Sequence, residues 1–175
     1  MQDGHRQDEQ ARGPNLTHRR AELDDYSTIR HVQASAVRAL VDRLLVVAEV
    51  ANAVRIIYSP DYVSDLIKKN LQVAVLNGDI VGTGAWSPGD DRGLTARLSM
   101  LFVTPLFQGI GIGRRLVGAL EQDAQEHGFD RYSITTPVSL VSMFETFGYA
   151  TASHGVSRDV VPGATLQVAF LRKPD

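Results

Sequence analysis

The apolar positions of this chain change period along its length, and the changes mark out its elements. Ile29, Val32, Ala36, Val37 and Leu40 recur at helical spacing, behind Asp24 and Asp25, either of which suits a helix cap. Leu44 to Ile57 is denser in apolar residues and reads as a second helix, although Val54–Tyr58 also fits an extended segment. Ser59-Pro60-Asp61 starts a short helix to about Lys69, with proline in its first turn. Ahead of these helices, Thr17–Leu23 predicts a first strand.

The period then shortens. Leu71–Leu76 predicts a strand, Asn77-Gly78-Asp79 a turn, and Ile80–Trp86 the returning strand of a hairpin. Ser87–Gly93 reads as a loop and Thr95–Val103 as the next strand. Gly111–His127 predicts a helix closed by Gly128. Arg131–Thr135 reads as a strand, Ser139–Phe147 as a helix stopped by Gly148, and Tyr149–His154 as a strand. A loop over 155–163 leads to a last strand, Ala164–Leu171. Strands alternating with helices in this way predict an α/β or α+β domain with a mixed sheet. Residues 1–16 are polar and read as a flexible extension, which leaves 17–175 as a single domain.

Composition narrows the function classes. At 175 residues, 43% hydrophobic and 22% charged, the chain suits one soluble globular domain. A net charge of −2 gives no global attraction to nucleic acid or to an anionic membrane. Arg19-Arg20 is too short a basic cluster to change that. The absence of cysteine excludes thiolate nucleophiles, disulfides and cysteine–metal sites, and no His/Asp/Glu cluster has metal-ligand spacing. The first fifteen residues lack an apolar signal segment, and no apolar run is long enough to span a bilayer, so a cytoplasmic protein is the expectation.

The most informative stretch is Gln108-Gly109-Ile110-Gly111-Ile112-Gly113-Arg114, a glycine-rich turn between a strand and a helix. Such a turn offers bare backbone N–H groups at a positive helix end, where phosphate oxygens bind. Three readings compete: a tight connection only, a dinucleotide site, or a pyrophosphate cradle for coenzyme A. A dinucleotide site predicts an early βαβ unit and an acid ending the next strand, whereas here a hairpin precedes the loop and the next strand ends in Thr135-Thr136-Pro137. A phosphate-binding loop of the Gly-Lys-Ser/Thr type is absent.

The third reading draws on a resemblance. Leu101-Phe102-Val103-Thr104-Pro105 followed by Gln108-Gly109-Ile110-Gly111-Ile112-Gly113 and an amphipathic helix resembles the signature of the Gcn5-related N-acetyltransferase (GNAT) superfamily. Met143-Phe144-Glu145-Thr146-Phe147-Gly148-Tyr149 resembles that superfamily's closing aromatic helix and Gly-Phe. The motifs span residues 95–149, and the flanking hairpin and strand extend the likeness to most of 17–172. The resemblance implies a mixed, mostly antiparallel sheet flanked by helices, splayed between two parallel strands, Thr95–Val103 and Arg131–Thr135. It implies acetyl-CoA as co-substrate and direct acyl transfer to an amine, with no acyl-enzyme and no metal. Leu101, Phe102 and Val103 would pair with the pantetheine amides, and the Phe102 or Val103 N–H would polarise the thioester carbonyl. Gly109, Ile110, Gly111, Ile112, Gly113 and Arg114 would hold the pyrophosphate, with Gln108 donating from its amide.

One departure from the pattern bears on catalysis. The usual leaving-group tyrosine aligns with Phe144, which has no proton to give and is expected only to contact the pantetheine or thioester. Pro137 stands where asparagine is common. Ser139, Ser142 and Tyr149 are the nearby hydroxyls that could replace the acid, water is another source, and a non-catalytic acyl-CoA-binding or sensor domain is the alternative reading. Asp90 and Asp91 are candidates for the base, or for a solvated turn. His31, Tyr58 and Tyr62 lie in the region expected to line the acceptor site. His127 and His154 read as helix-end and strand or loop residues, Trp86 as a core or groove residue, and Glu49 as solvent-facing. The expected partner is a small-molecule or peptide amine, without nucleic acid or membrane, and the last strands are a possible homodimer contact.

Overall fold

A computed structural model describes residues 15–90 and 92–174. The polar extension therefore falls almost wholly outside the described residues, but its last residue, Leu16, opens the first strand. In chain order the elements are β1 (Leu16–Arg20), α1 (Tyr26–Arg38), α2 (Val47–Ile57), α3 (Pro60–Ile67), β2 (Asn70–Leu76), β3 (Asp79–Pro88), β4 (Thr95–Val103), α4 (Ile112–Glu126), β5 (Arg131–Pro137), α5 (Val141–Thr146), β6 (Ala150–Ser157) and β7 (Leu166–Arg172). They build a seven-stranded sheet in the order β1-β2-β3-β4-β5-β7-β6. Only the central β4–β5 pair is parallel; every other neighbouring pair is antiparallel. Among the described residues no helix is long and apolar enough to cross a membrane.

Helices cover both faces of the sheet. The apolar stripe of α1 (Ile29, Val37) packs with Val50, Ala53 and Ile57 of α2 and Leu66 of α3 on one face. On the other, Leu116, Leu120 and Ala124 of α4 and Phe144 of α5 pack over β3, β4 and β5. Gly84 lets α4 lie close: a Cβ there would meet Leu120 Cδ1 at 2.7 Å and Leu101 Cδ2 at 3.1 Å. Gly84→Val should therefore destabilise the protein by about 2–3 kcal/mol through overpacking. Urea unfolding should show the lower midpoint with an unchanged slope.

Several boundaries depart from the sequence reading, each for a tertiary reason. Leu44–Val46 is a turn and not helix, because the Leu40 carbonyl takes the N–H groups of Arg43, Leu44 and Leu45 while Leu45 plugs the core. The helix starts at Val47, with the Glu49 carboxylate accepting the Val46 N–H at 2.9 Å. The β6 strand runs on through Gly155, Val156 and Ser157, read as loop, because they pair with Val168, Gln167 and Leu166 of β7. Gly155 belongs there because the Phe170 ring covers it, 2.8 Å from where a Cβ would stand.

Candidate active site

The parallel pairing of β4 with β5 runs from Thr95–Arg131 to Leu98–Ile134 and then stops, although both strands continue. β5 turns to β7, with which it pairs as far as Pro137–Val168. The gap between the strands opens into a cavity of about 1770 Å³ that crosses the sheet. Its lining includes Leu101, Phe102, Val103, Gln108, Gly109, Gly111, Ile112, Gly113, Arg114 and Phe144.

A β-bulge shapes the edge that β4 presents to this gap. Met100 has φ 57°, the left-handed region that a side chain enters at a cost. The register shifts there, so that Ser99 pairs with Ala85 and Phe102 with Thr83. A chain of buried and partly buried hydrogen bonds fixes the bulge. Tyr62 Oη donates to Gln33 Oε1 at 2.5 Å, Gln33 Nε2 donates to Thr83 Oγ1 at 3.2 Å, and Thr83 Oγ1 donates to the Met100 carbonyl at 2.9 Å. Burial, and then the Asp65 charge, push the Tyr62 phenol above its ordinary value, so it stays a donor. This network joins α1, α3, β3 and β4, and its one local signal is a polar residue, Gln33, on an apolar helix face.

Past the bulge, the Thr104 N–H donates to the Val81 carbonyl at 2.8 Å. Gly82–Val103 is therefore a non-hydrogen-bonded pair, and Val103 turns its own N–H and C=O away from β3, toward the gap. Its carbonyl accepts from Gln108 Nε2 at 3.1 Å. Gln108 thus gives one of its two amide N–H donors to the strand end.

The glycine loop then enters α4. Gly109 (φ 83°) and Gly111 (φ 87°) are left-handed, and no heavy atom lies within 4 Å of a Cβ built on Gly109, Gly111 or Gly113. The first helical bond is from the Arg115 N–H to the Gly111 carbonyl, at 3.1 Å. Among the described residues, the N–H groups of Gly109 through Arg114 find no acceptor. Six consecutive donors around an open concavity at a helix start form an anion cradle, and the residues fit a diphosphate. Ile110, by contrast, is 62% exposed and points its side chain outside the cavity. Arg114 lies over the Phe147 ring, 5.6 Å from its centroid, at the cavity rim.

The acid candidates separate. Tyr149 is 3% exposed and does not line the cavity; its hydroxyl donates to Glu121 Oε1 at 2.7 Å, and Lys173 Nζ holds the other carboxylate oxygen at 2.8 Å. Burial first, then that hydrogen bond, push its phenol well above the ordinary value. Tyr149 is therefore a core strut, and the sequence missed this because Glu121 is 28 residues away. Ser142 is exposed and outside the lining, whereas Ser139 lies in it. Phe144 is 5% exposed, lines the cavity and packs edge-on to Phe147 and Tyr149. Two hydroxyls that sequence did not single out lie in the lining without a partner among the described residues: Ser99 Oγ and Thr136 Oγ1, on the two strands that part.

Of the remaining candidates, Asp90 lines the cavity but accepts the Leu94 N–H at 3.2 Å, as a turn residue does. A hydrogen bond from Thr95 foremost holds its carboxyl below the ordinary value. Asp91 lies outside the described residues. Tyr62 lines the cavity, while His31 and Tyr58 do not. Trp86 is buried and donates to Asp123 Oδ2 at 2.7 Å, which makes it a core residue. His127 Nδ1 sits 2.7 Å from the Asp123 carbonyl at the end of α4, and His154 is exposed on β6.

Comparison with known proteins agrees with this geometry. Residues 47–168 match the acetyltransferase (GNAT) domain family, and the chain belongs to it. A Gcn5-related N-acetyltransferase from Rhodopseudomonas palustris superposes with a TM-score of 0.76 at 19% identity, over 93% of this chain and 96% of that one. PaiA N-acetyltransferase from Thermoplasma acidophilum, solved in complex with coenzyme A, superposes with a TM-score of 0.74 at 11% identity, over 92% and 99% of the two chains. YncA from Salmonella typhimurium, solved with acetyl-CoA, gives 0.62 at 20% identity, over 90% and 92%. No match was found among curated protein sequences.

Proposed function

We propose that this protein is an acetyl-CoA-dependent N-acetyltransferase that transfers the acyl group directly to an amine. The observation that carries this reading is the conjunction of the parted β4–β5 edge with six unsatisfied N–H groups at the start of α4. Bound there, acetyl-CoA would supply the thioester whose C–S bond breaks as the amine nitrogen bonds to the carbonyl carbon. The amine loses a proton and the thiolate gains one. The cradle at Gly109–Arg114 holds the diphosphate, and the free edge of Leu101–Val103 orients the pantetheine arm. The Val103 N–H, turned toward the gap, polarises the carbonyl. Phe144 packs against the thioester end and excludes water.

Phe144 stands where the superfamily's leaving-group tyrosine aligns, so protonation falls to water, to Ser139, or to the hydroxyls of Ser99 and Thr136, unpartnered among the described residues. The same departure favours a second reading, an acyl-CoA-binding sensor with no turnover. Acetyl-CoA consumption over a panel of amines decides between them: coenzyme-induced stabilisation without turnover on any amine establishes the sensor. In the enzyme, Phe144→Tyr should keep or raise kcat in a continuous thiol-release assay, because it adds a proton donor at the sulfur. A large loss of kcat would show that Phe144 is not at the sulfur.

A further inference from the structure

The half of the cavity away from the glycine loop carries a charge that the cradle does not explain. Seven cationic side chains and three carboxylates line the cavity among the described residues, in a chain whose net charge is −2. Arg114 stands at the cradle. The other six come from separate parts of the chain: Arg43 before α2, Lys68 and Lys69 after α3, Arg97 on β4, Arg158 after β6 and Arg172 on β7. Asp65 pairs with Lys68 at 3.6 Å and Asp90 accepts within its own turn, so six cations remain against Asp90 and Asp159.

Two of these cations are placed by the sheet itself. Arg97 pairs with Ser133 across β4–β5, and Ser133 pairs with Arg172 across β5–β7. Residues in one cross-strand row share a face, and all three line the cavity. The guanidinium-bearing strands stand two strand spacings apart, about 9–10 Å, with a hydroxyl between them. Arg97 spends one nitrogen on the Gly89 carbonyl, at 3.2 Å, and Arg172 makes no hydrogen bond or ion pair among the described residues. Two guanidiniums on one face of the cleft, neither in an ion pair among the described residues, repel each other and attract an anion.

That anion is not a coenzyme phosphate. The cradle begins beyond Val103, six positions along β4 from Arg97, which is roughly 17–20 Å of strand. The row lies instead one pair before the point where the strands part, beyond the acyl end of a pantetheine arm laid along Leu101–Val103. We propose that Arg97, Ser133 and Arg172 form a subsite for an acidic group of the acceptor, so that the amine substrate also carries a carboxylate or a phosphonate. This rests on the reading of the cleft as an amine-acylating site. A planar carboxylate fits the fork of one guanidinium, and a tetrahedral phosphonate can engage both.

The test compares acetyl transfer to matched acceptors that differ in the acid alone: an α-amino acid against its carboxamide, and an aminoalkylphosphonate against the corresponding alkylamine. The acid-bearing partner should win by roughly ten- to a hundredfold in kcat/KM, the advantage residing in KM. Whether the carboxylate or the phosphonate pair shows the larger ratio identifies the acid. Arg97→Gln and Arg172→Gln should each remove most of that preference while coenzyme A affinity persists, and Arg97→Lys should restore part of it. An absent preference in the native protein, or one that survives both substitutions, overturns the subsite. So does a loss of coenzyme A affinity in the variants with the preference intact, since the cations would then serve the nucleotide. If no amine is acylated, the acyltransferase reading fails separately. The subsite is then decided by titrating the protein with the acid-bearing amines and following the Arg97 and Arg172 Nε–H resonances, whose movement supports it and whose constancy overturns it.

Discussion

Coenzyme A at a hundred times its Kd should stabilise the native protein by about 2.7 kcal/mol, and Gly111→Val should abolish most of that gain. For a chain of this size the shift amounts to roughly 5–11 °C in Tm. The argument runs through the backbone. Gly111 caps α4 at φ 87°, where a β-branched residue is strained, and a Cβ there would enter open space at the mouth of the N–H cradle. The added Cβ thus has room in the protein itself, but the side chain intrudes on the diphosphate and disfavours the conformation that aims the donors. A folded variant with the full coenzyme-induced shift would refute the cradle. Since the variant itself loses stability, about 1–2 kcal/mol from the left-handed residue, the native protein provides an independent check. On titration with coenzyme A, the largest amide chemical-shift changes should fall on Gly109 through Arg114, and an unmoved set there would be equally decisive.

Thr83→Val should lower stability by about 2–4 kcal/mol and reduce kcat by about a hundredfold. Thr83 is wholly buried, and its hydroxyl both accepts from Gln33 and donates to the Met100 carbonyl. Valine keeps the shape but leaves an orphaned donor and an orphaned acceptor in the core, each costing about 1–3 kcal/mol. Met100 then loses the bond that holds its left-handed conformation, and the edge of Leu101–Val103 shifts relative to the cradle. A misplacement of about 1 Å in a reacting group is enough for the kinetic loss. Thr83→Ser keeps the hydroxyl and should recover most of kcat at a small packing cost. Urea unfolding together with steady-state kinetics separates the two effects. A Thr83→Val protein with native kcat would show that the bulge holds its form without the network.

The difference between these two sites lies in how far apart in sequence their parts are. The cradle is local. Glycines at 109, 111 and 113 between an apolar strand and an amphipathic helix are visible as a pattern, because positive φ and helix-end donors depend on neighbouring residues. The bulge network is not local: Gln33, Tyr62, Thr83 and Met100 are brought together only by the packing of α1 and α3 on β3 and β4. Tyr149 shows the same limit from the other side. A tyrosine after Gly148 looks like a nearby acid, but just before β6 it reaches toward α4, where Glu121, itself held by Lys173, accepts its hydroxyl. Gln108 fits a phosphate donor as a residue type, and only the fold shows that the strand end takes one of its two amide donors.

By itself, the sequence determined the succession of strands and helices, the hairpin at Asn77–Asp79 and the glycine turn into α4. These follow from period, capping and backbone freedom, which act over a few residues. Tertiary structure alone decided where β4 and β5 part, that Met100 bulges, which hydroxyls are left unpartnered, and that Arg97 and Arg172 share a row across Ser133. Those outcomes depend on strand register and on helix packing against the sheet. Register and packing are settled by contacts between residues tens of positions apart, which no local pattern encodes.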